Sequence, residues 1–454
     1  MAGTEAAFVP PAFPMPTRGP GPIALLKSLR NPVLGWSPEV YAGGCYRTPV
    51  PGAPLIIGDP VLAAEVLGER ADEFEHGPLL RRLMAPIWGR GIFTAEGAEW
   101  RWQRRAGAPA FRPARMTALA PLMRTAAETT LARWREGQAI DLQAEMRRLT
   151  LQILFDAMLS GGEDFPDREE ATRQVDAFIG GVGRIMATDV MMMPERLRPS
   201  IERRGGAPAA YMRERVGAMV ARRRREERPR GDLVDLLMEA TDPETGRSMD
   251  DELLRDNLMG FIAAGHETTA YALAWCVWTV ASHAPTRRRL LQEVEEVTGG
   301  NPVGEAHVAK LLFTAQVVRE VMRLFPVTGV ALAAVATTRI GGYRIRRGAP
   351  LLVAIYALHR LPSRWENPHV FDPHRFASGG PPPGPGLAYV PFGAGPRICM
   401  GAAFALTELV VALATLVRGA ELIPAPSPPV VLDARLGTTV SATGLWAVPD
   451  RVVA

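Results

Sequence analysis

The sequence is poor in cysteine and lacks any segment typical of a membrane span. Only three cysteines, Cys45, Cys276 and Cys399, occur among the 454 residues, too few and too scattered for a disulfide framework. No run of eighteen apolar residues is present, and residues 8–22 are proline-rich without the apolar core of a signal peptide. We therefore expect a soluble protein of the reducing cytoplasm, with no transmembrane segment.

Strong charge imbalance, internal repeats and long polar linkers are also absent. A net charge of +4, carried mostly by arginine, is too small to indicate a nucleic-acid partner. The chain is long enough for two or three domains, but nothing in its composition marks a boundary between them. We predict one domain over residues 1–454, in which residues 1–30 form a proline-rich amino-terminal extension.

A loop rich in glycine and proline is predicted around Cys399, within the stretch Pro391–Gly401. Gly395 and Gly401 leave space in which backbone can approach a flat ligand, and an apolar helical pattern follows from Ala402 to Val417. The free N–H groups and the dipole at a helix N-terminus lower the pKa of a thiol and favour its thiolate. Cys399 is therefore either a ligand held beside a planar group or an inert buried cysteine, the commoner role of a lone cysteine.

A long helix is predicted from a cap at Ser248 to about Ser282, and its centre contains residues that weaken helices. Gly260 and Gly265 each cost roughly 1 kcal/mol relative to alanine. The triplet Glu267–Thr269 adds an acid and two hydroxyl groups among apolar neighbours. Such a helix is either kinked and satisfied within the core, or it carries a functional site.

Two further pairs of residues share a helix face. Trp100 and Arg104 are one turn apart, so an indole N–H and a guanidinium can together bind a carboxylate. The competing interpretation is a half-buried tryptophan within a surface run of arginines. Glu320 and Arg323 lie three apart amid apolar residues, where a buried ion pair needs additional partners.

Together these segments resemble the motifs of the cytochromes P450, the haem-thiolate monooxygenases. The loop matches the haem-binding pattern Phe-x-x-Gly-x-Arg-x-Cys-x-Gly at Phe392, Gly395, Arg397, Cys399 and Gly401. The long helix matches the oxygen-side motif at Ala264, Gly265, Glu267, Thr268 and Thr269, with His266 at its variable position. The Glu-x-x-Arg motif is matched by Glu320 and Arg323, with Arg375 as its third member. The resemblance covers nearly the whole chain.

The resemblance implies a mainly α fold with small β-sheets, in which haem b is buried between the long central helix and the helix after the cysteine loop. It implies that Cys399 ligates the iron and that Glu267 and Thr268 deliver protons for the activation of O2. The other implied cofactor contacts are Trp100, Arg104, Ala264, Gly265, Phe392, Arg397 and Gly401. The triad of Glu320, Arg323 and Arg375 is implied to hold the loop, and His266 is interpreted as structural.

One position departs from the family pattern. Residues 327–336 are predicted to form a strand beside the cofactor, where many relatives carry a basic residue that pairs with a haem propionate. This chain has Leu332 or Ala333 at that place. A propionate partner that the sequence does not identify must therefore complete the site.

The activity that the resemblance implies is insertion of one oxygen atom from O2 into a small apolar substrate. No flavin or nicotinamide motif is present, so electrons are expected from separate proteins, a ferredoxin or flavodoxin with its reductase. A run of basic residues either offers a surface to such an acidic donor or is simply solvated. Its members are Arg101, Arg105, Arg112 and Arg115.

Two other functions stay open, as does the substrate. A peroxide-driven oxidation or a haem-catalysed rearrangement needs no reductase, although such relatives tend to lose the acid–alcohol pair that this chain keeps. A non-catalytic haem-thiolate sensor needs no open coordination position, and the small residues of the long helix argue against it. Residues 74–93, the methionine-rich residues 178–209 and the strand after Phe325 are expected to bind substrate. They suit fatty acids, terpenoids, steroids or aromatic compounds alike.

Overall fold

The computed structural model describes most of the chain. The described residues are 7–28, 31–49, 52–77, 81, 84–85, 88–158, 165, 167–182, 206–226, 230–381, 384–426, 428–434 and 439–452. The methionine-rich segment that we expect to contact substrate, with Met191–Met193 at its centre, lies mostly outside these residues. That expectation stays a prediction.

Helices dominate the described fold, as predicted. In chain order they are α1 (Pro22–Ser28), α2 (Pro38–Tyr41), α3 (Pro60–Ala64), α4 (Gly97–Gly107), α5 (Pro113–Ala118), α6 (Ala120–Leu131), α7 (Leu142–Met158), α8 (Arg168–Val182), α9 (Gly206–Arg223), α10 (Leu233–Met238), α11 (Asp251–Ser282), α12 (Ala284–Thr298), α13 (Glu305–Val308), α14 (Leu312–Leu324), α15 (Ile355–Leu358) and α16 (Ala402–Gly419). A π-helical turn spans Glu65–Glu69, and short 3₁₀ helices occupy Pro32–Gly35, Ala71–Glu73, Ala108–Phe111, Pro373–Phe376 and Gly395–Arg397.

The strands form small sheets. They are β1 (Cys45–Arg47), β2 (Leu55–Ile57), β3 (Phe74–Glu75), β4 (Ile140–Asp141), β5 (Val330–Ala334), β6 (Thr338–Ile340), β7 (Tyr343–Ile345), β8 (Pro350–Val353), β9 (Ala420–Pro424), β10 (Val431–Asp433), β11 (Ser441–Thr443) and β12 (Trp446–Val452). The largest has the order β1-β2-β8-β5-β3, with β2 and β8 parallel and its other neighbours antiparallel. At its edge, Phe74 pairs with Ala334 and Glu75 with Ala333. The strand predicted within residues 327–336 is thus confirmed as β5.

The long central helix α11 is confirmed, but its predicted cap is wrong. The side chain of Asp250, two residues after Ser248, accepts the Leu253 N–H at 2.7 Å and caps the helix. Ser248 is not at the cap because it lies in a β-bridge with Thr241, where the two side-chain oxygens are 3.1 Å apart. The helix packs against α7, α9, α14 and α16, so its centre is enclosed by other helices.

Helix α16 follows the cysteine loop and ends at Gly419, close to the predicted end. Among the described residues, it alone is long and apolar enough to cross a membrane, and 72% of it is buried inside the protein. It packs against α6, α11, α12 and α14. Its apolar character is therefore that of a core helix.

Two hydrophobic cores meet at the site described below. The larger contains the buried faces of α7, α11, α14 and α16, including Phe325 and Phe404. The smaller covers the five-stranded sheet and includes Leu67, Phe74 and Leu332. Residues of both cores line the same cavity.

Candidate active site

A cavity of about 450 Å³ lies between α11, the cysteine loop, α4 and the edge of the large sheet. This volume is within the range of ordinary small-molecule sites. Nearly all of the site residues predicted from the sequence line it. They are Trp100, Arg104, Ala264, Gly265, Thr268, Phe392, Arg397, Cys399 and Gly401. Glu267 is the exception, because its side chain does not line the cavity.

The cysteine loop is held by its own backbone hydrogen bonds. The Cys399 N–H donates to the Phe392 carbonyl at 2.9 Å, and the Gly393 N–H donates to the Val390 carbonyl at 3.1 Å. Gly395 has a positive φ of 65°, and a Cβ built on it would lie 1.9 Å from the carbonyl oxygen of Leu67. Gly395 is thus required by the approach of the π-helical turn, and its role beside a ligand stays a prediction.

The thiol of Cys399 differs from our expectation in its electrostatics. Its accessible surface faces the cavity while the surrounding protein encloses it. This burial raises the pKa of Cys399, although the Gly401 N–H and the positive charge of Arg104 act in the opposite direction. Burial and the helix N-terminus therefore act in opposite directions on this thiol, and a cation bound beside Cys399 would favour its thiolate.

One wall of the cavity carries positive charge. The guanidinium of Arg397 lies over the Trp100 ring, 4.5 Å from its centre, and pairs with Glu96. Its Nη1 atom is buried and has no hydrogen-bond partner among the residues that the structure describes. Arg104 has no carboxylate partner within the described residues, and burial lowers its pKa while the negative charge of a Cys399 thiolate would raise it. Trp100 and Arg104 share this wall, as their spacing predicts. The wall suits a ligand that carries carboxylates.

Sequence reasoning missed His76, which lines the cavity, and Glu96, which contacts both His76 and Arg397. The Nδ1 atom of His76 lies 2.9 Å from Glu96 Oε1, and the His76 backbone N–H donates to the same oxygen at 2.8 Å. His76 lies within residues 74–93, which we expected to bind substrate, and Glu96 lies just after them. The available signal was local: Glu96 directly precedes helix α4, and His76 directly follows strand β3.

The oxygen-side motif occupies the centre of α11. The Thr268 hydroxyl donates to the Ala264 carbonyl at 2.6 Å. The Glu267 carboxylate accepts a hydrogen bond of 2.7 Å from the Tyr271 hydroxyl, one turn further along the helix. A Cβ on Gly265 would lie 3.1 Å from Leu154 of α7, so this glycine also permits close helix packing.

His266 is a fully buried residue of α11. Its Nδ1 lies 3.1 Å from the Thr150 hydroxyl and its Nε2 lies 3.1 Å from Asp176, so it joins α11 to α7 and α8. It is not among the residues that line the cavity. These contacts agree with the structural interpretation made from the sequence.

The predicted triad forms a buried network. Glu320 and Arg323 make two hydrogen bonds of 2.7 Å, and Arg375 Nε lies 3.4 Å from Glu320. Arg323 also donates to the carbonyls of His359, at 2.9 Å, and of Pro368, at 2.8 Å.

The buried triad network is connected to the cysteine loop through His359, which sequence reasoning did not single out. His359 Nε2 accepts the Val390 N–H at 2.8 Å, and the Val390 carbonyl in turn accepts the Gly393 N–H. The buried network therefore reaches the loop through one histidine and one backbone segment.

Comparisons with known proteins agree with this geometry. The family model described as Cytochrome P450 matches residues 49–439. The chain is 31% identical to cyclooctatin synthase of Streptomyces melanosporofaciens over 369 residues, which cover 81% of this chain and 80% of the relative. It is 29% identical to cyclooctat-9-en-7-ol 5-monooxygenase of the same organism, with 75% and 74% of the two chains covered.

A solved structure shows the same fold. The crystal structure of the heme domain of cytochrome P450DA aligns with a TM-score of 0.79 and 27% identity, and the alignment covers 90% of each chain. The helical content, the small sheets and the cavity between α11 and the cysteine loop are what that likeness requires. With a family model that spans most of its length, this protein belongs to the cytochrome P450 family and is a monooxygenase of that family.

Proposed function

We propose that this protein uses a haem whose iron is ligated by Cys399 to insert one oxygen atom from O2 into a largely hydrocarbon substrate. The observation that carries the proposal is that Cys399 and Thr268, from two separate elements, line one cavity. Members of the family bind haem. When bound, a haem with a thiolate ligand supplies the chemistry of O–O bond cleavage.

The residues of the cavity fit haem b. Its two propionates match the wall on which Arg397 Nη1 is buried without a partner and Arg104 has no counter-anion within the described residues. A cation in place near Cys399 would also reverse the effect of burial on its pKa. Trp100 adds a flat surface and an indole N–H to this wall. Phe392 contributes a second aromatic surface, and Ala264, Gly265 and Gly401 contribute cavity surface of low bulk.

Proton delivery is assigned to Thr268 and Glu267. Because its hydroxyl proton goes to the Ala264 carbonyl, the Thr268 oxygen retains lone pairs that can accept a hydrogen bond at the cavity surface, and so can hold a proton-donating water in place. Glu267 does not line the cavity and is oriented by Tyr271, so we propose that it takes protons from solvent. Water between Glu267 and Thr268 would complete the route.

The substrate class follows from the cavity surface and from a relative. Phe93, Phe111 and Phe261 form an aromatic cluster on this surface. The ring centre of Phe261 lies 6.1 Å from that of Phe93 and 5.2 Å from that of Phe111. A Cβ on Gly260 would lie 2.6 Å from the Phe93 ring, so this glycine allows the ring to pack on α11. One relative is named for oxidation of cyclooctat-9-en-7-ol. We propose a bulky terpenoid alcohol or hydrocarbon, in preference to a charged fatty acid.

Electrons would come from a ferredoxin or flavodoxin with its reductase, in the cytoplasm. Of the four arginines predicted to meet such a donor, Arg112 and Arg115 are exposed without an ion-pair partner in the part of the chain that the structure describes. Arg105 is paired with Asp242 at 2.7 Å, and Arg101 lies near Asp72. We therefore propose that Arg112 and Arg115 contribute more to docking than the other two.

The test of proton delivery compares wild type, Thr268→Ala and Thr268→Ser. A substrate is first chosen from a panel that includes cyclooctat-9-en-7-ol, by the spin-state shift of the haem spectrum. With partner proteins and NADPH, we expect Thr268→Ala to form roughly tenfold to a hundredfold less product per NADPH and to release peroxide, while Thr268→Ser keeps most activity. Undiminished product formation by Thr268→Ala would contradict the assigned role.

A further inference from the structure

One part of the cavity surface comes from a loop, residues 89–93, that belongs to no helix or strand. Within this loop, Ile92 and Phe93 line the cavity, and Ile92 is buried. Backbone N–H and C=O groups of a buried loop need hydrogen-bond partners, because they have no ladder of their own and water does not reach them. In loop 89–93 these partners are side chains of two helices.

Helix α11 supplies two of the partners from consecutive residues. Asp256 accepts the Arg90 N–H through Oδ2 at 2.9 Å, and Asn257 accepts the Ile92 N–H through Oδ1 at 2.9 Å. The other oxygen of Asp256 is bound by Arg255 at 2.8 Å. Asp256 and Asn257 are both buried, and neither lines the cavity. The loop is therefore held by groups that lie outside the cavity surface.

Helix α4 supplies the third partner. Gln103, which is also buried, donates to the Arg90 carbonyl at 3.1 Å. The Asn257 amide group joins the two helices, since its Nδ2 donates to Gln103 Oε1 at 3.2 Å and to the Leu253 carbonyl at 3.0 Å. Because Asn257 uses both its oxygen and its nitrogen, the orientation of its side chain is fixed. Replacing it would leave the Ile92 N–H buried and unpaired.

Glycine allows the loop to lie this close to α11. Gly89 has a positive φ of 52°, and a Cβ built on it would lie 1.9 Å from Asp256 Oδ2. A Cβ on Gly91 would lie 3.1 Å from the Asp256 backbone. The loop therefore fits directly against α11, and Phe93, at its end, packs with Phe261 of that helix.

We propose that Asn257 is a specificity-determining positioning residue, which acts with Asp256 and Gln103 to hold Phe93 as a preformed part of the substrate surface. A surface that is already ordered favours a rigid, bulky substrate, since no loop has to be ordered when the substrate binds. The inference rests on the proposed function, because it takes the cavity as the substrate site. Loss of the bonds should leave the protein folded but with a looser loop and weaker substrate binding.

The first test measures amide hydrogen exchange of the haem-loaded protein, which does not depend on turnover. Asn257→Leu removes the acceptor of the Ile92 N–H at nearly constant side-chain volume. We expect the peptide of residues 88–95 to exchange at least about tenfold faster than in wild type. Gln103→Met removes the bond to the Arg90 carbonyl and should accelerate the same peptide; it decides the question if Asn257→Leu does not fold.

A matched control separates loosening of the loop from general destabilisation. Thr150→Val removes a buried hydroxyl group that contacts His266, another buried residue of α11, and does not touch the loop. We expect residues 88–95 to exchange in Thr150→Val as they do in wild type.

The second test asks whether Asn257 acts through Phe93. The dissociation constant of cyclooctat-9-en-7-ol is measured from the spin-state shift of the haem spectrum in wild type, Asn257→Leu, Phe93→Ala and the double variant. We expect Asn257→Leu to raise this constant about tenfold in the wild-type background. In the Phe93→Ala background the rise should be less than about twofold, because changes that act through one contact are not additive.

Each result decides between a positioning role and its alternatives. If residues 88–95 exchange no faster in Asn257→Leu than in Thr150→Val, the proposal is wrong. It is also wrong if Asn257→Leu raises the dissociation constant by the same factor in both backgrounds, since Phe93 would not transmit the effect. If wild type shows no thiolate-bound haem, or does not bind cyclooctat-9-en-7-ol, the proposed function or its substrate class fails instead. Hydrogen exchange then still decides whether Asn257 holds the loop.

Discussion

Arg323 and Arg397 each pair with a glutamate, but the two arginines differ in what remains of their hydrogen-bonding capacity. Arg323 is fully buried and uses both its Glu320 pair and three backbone carbonyls. Arg397 pairs with Glu96 through one nitrogen and leaves Nη1 buried and unpaired. Buried polar groups in folded proteins are nearly always satisfied, so of these two arginines Arg397 is the one with hydrogen-bonding capacity left for a ligand within the described residues.

The same contrast holds for the neighbouring residues. In the structural cluster, Glu320 accepts bonds from Arg323 and from the Asp372 N–H at 2.9 Å. At the cavity wall, Arg104 has no counter-anion within the described residues. A completed network contributes to the protein's own stability, whereas an incomplete one costs stability until its ligand binds. The two clusters should therefore respond in opposite ways to loss of an arginine.

The largest effect is expected from Arg323→Ala. This change leaves Glu320 as a buried carboxylate without its main partner and frees three backbone carbonyls. We expect the free energy of unfolding of the haem-free protein to fall by about 3–5 kcal/mol, measured by urea denaturation. Arg339→Ala, at an exposed position on β6, is the matched control and should change it by less than about 0.5 kcal/mol. A similar small effect for both variants would remove the distinction between the clusters.

The next effect is a pH dependence carried by His359. Burial, together with the charges of Arg323 and Arg360, lowers the pKa of His359 to about 3. Unfolded histidine titrates near pH 6.5, so between these values the unfolded chain binds the extra proton and acid favours unfolding. From pH 6.5 to 5 the stability should fall by about 1.5 kcal/mol through this residue.

His359→Gln separates this titration from the hydrogen bonds. A glutamine amide can still accept the Val390 N–H and donate to the Arg323 carbonyl, but it does not titrate. We expect its stability to vary less between pH 6.5 and 5, while His374→Gln behaves as wild type. An unchanged pH slope in His359→Gln would show that the link between the triad and the loop does not depend on a neutral imidazole.

The smallest effect on stability is expected from Arg104→Met. Because this half-buried cation has no counter-anion within the described residues, its removal should leave the haem-free protein within about 0.5 kcal/mol of wild type, or make it slightly more stable. Haem retention should nevertheless fall. Arg101→Met, three residues away on an exposed face, should change neither quantity. A large loss of stability in Arg104→Met would place this residue with the structural cluster.

The contrast also explains what could be predicted from the sequence. Cys399, Thr268 and the pair Trp100–Arg104 lie in contiguous motifs, where spacing alone fixes a shared face or loop. His76 and His359 could not be found in this way, because their partners are distant in the chain and depend on strand register and on a buried turn.

Contacts with residues distant in the chain account for the remaining differences from the sequence-based expectations. The predicted cap at Ser248 failed because its hydroxyl meets Thr241, which leaves Asp250 to cap the helix. For Cys399, burial opposes the effect that the helix N-terminus has on the pKa of the thiol, and the expected thiolate stays a prediction. Both outcomes depend on tertiary surroundings that a motif does not contain.

The most direct measurement is the absorption spectrum of the reduced wild-type protein with carbon monoxide bound. With Cys399 as the iron ligand, the Soret band should show the strong red shift of thiolate-bound haem, and Cys399→Ala should lack it. If the wild-type protein binds haem without that red-shifted band, Cys399 is not the ligand, and the assignment of the cavity as a haem-thiolate site is contradicted.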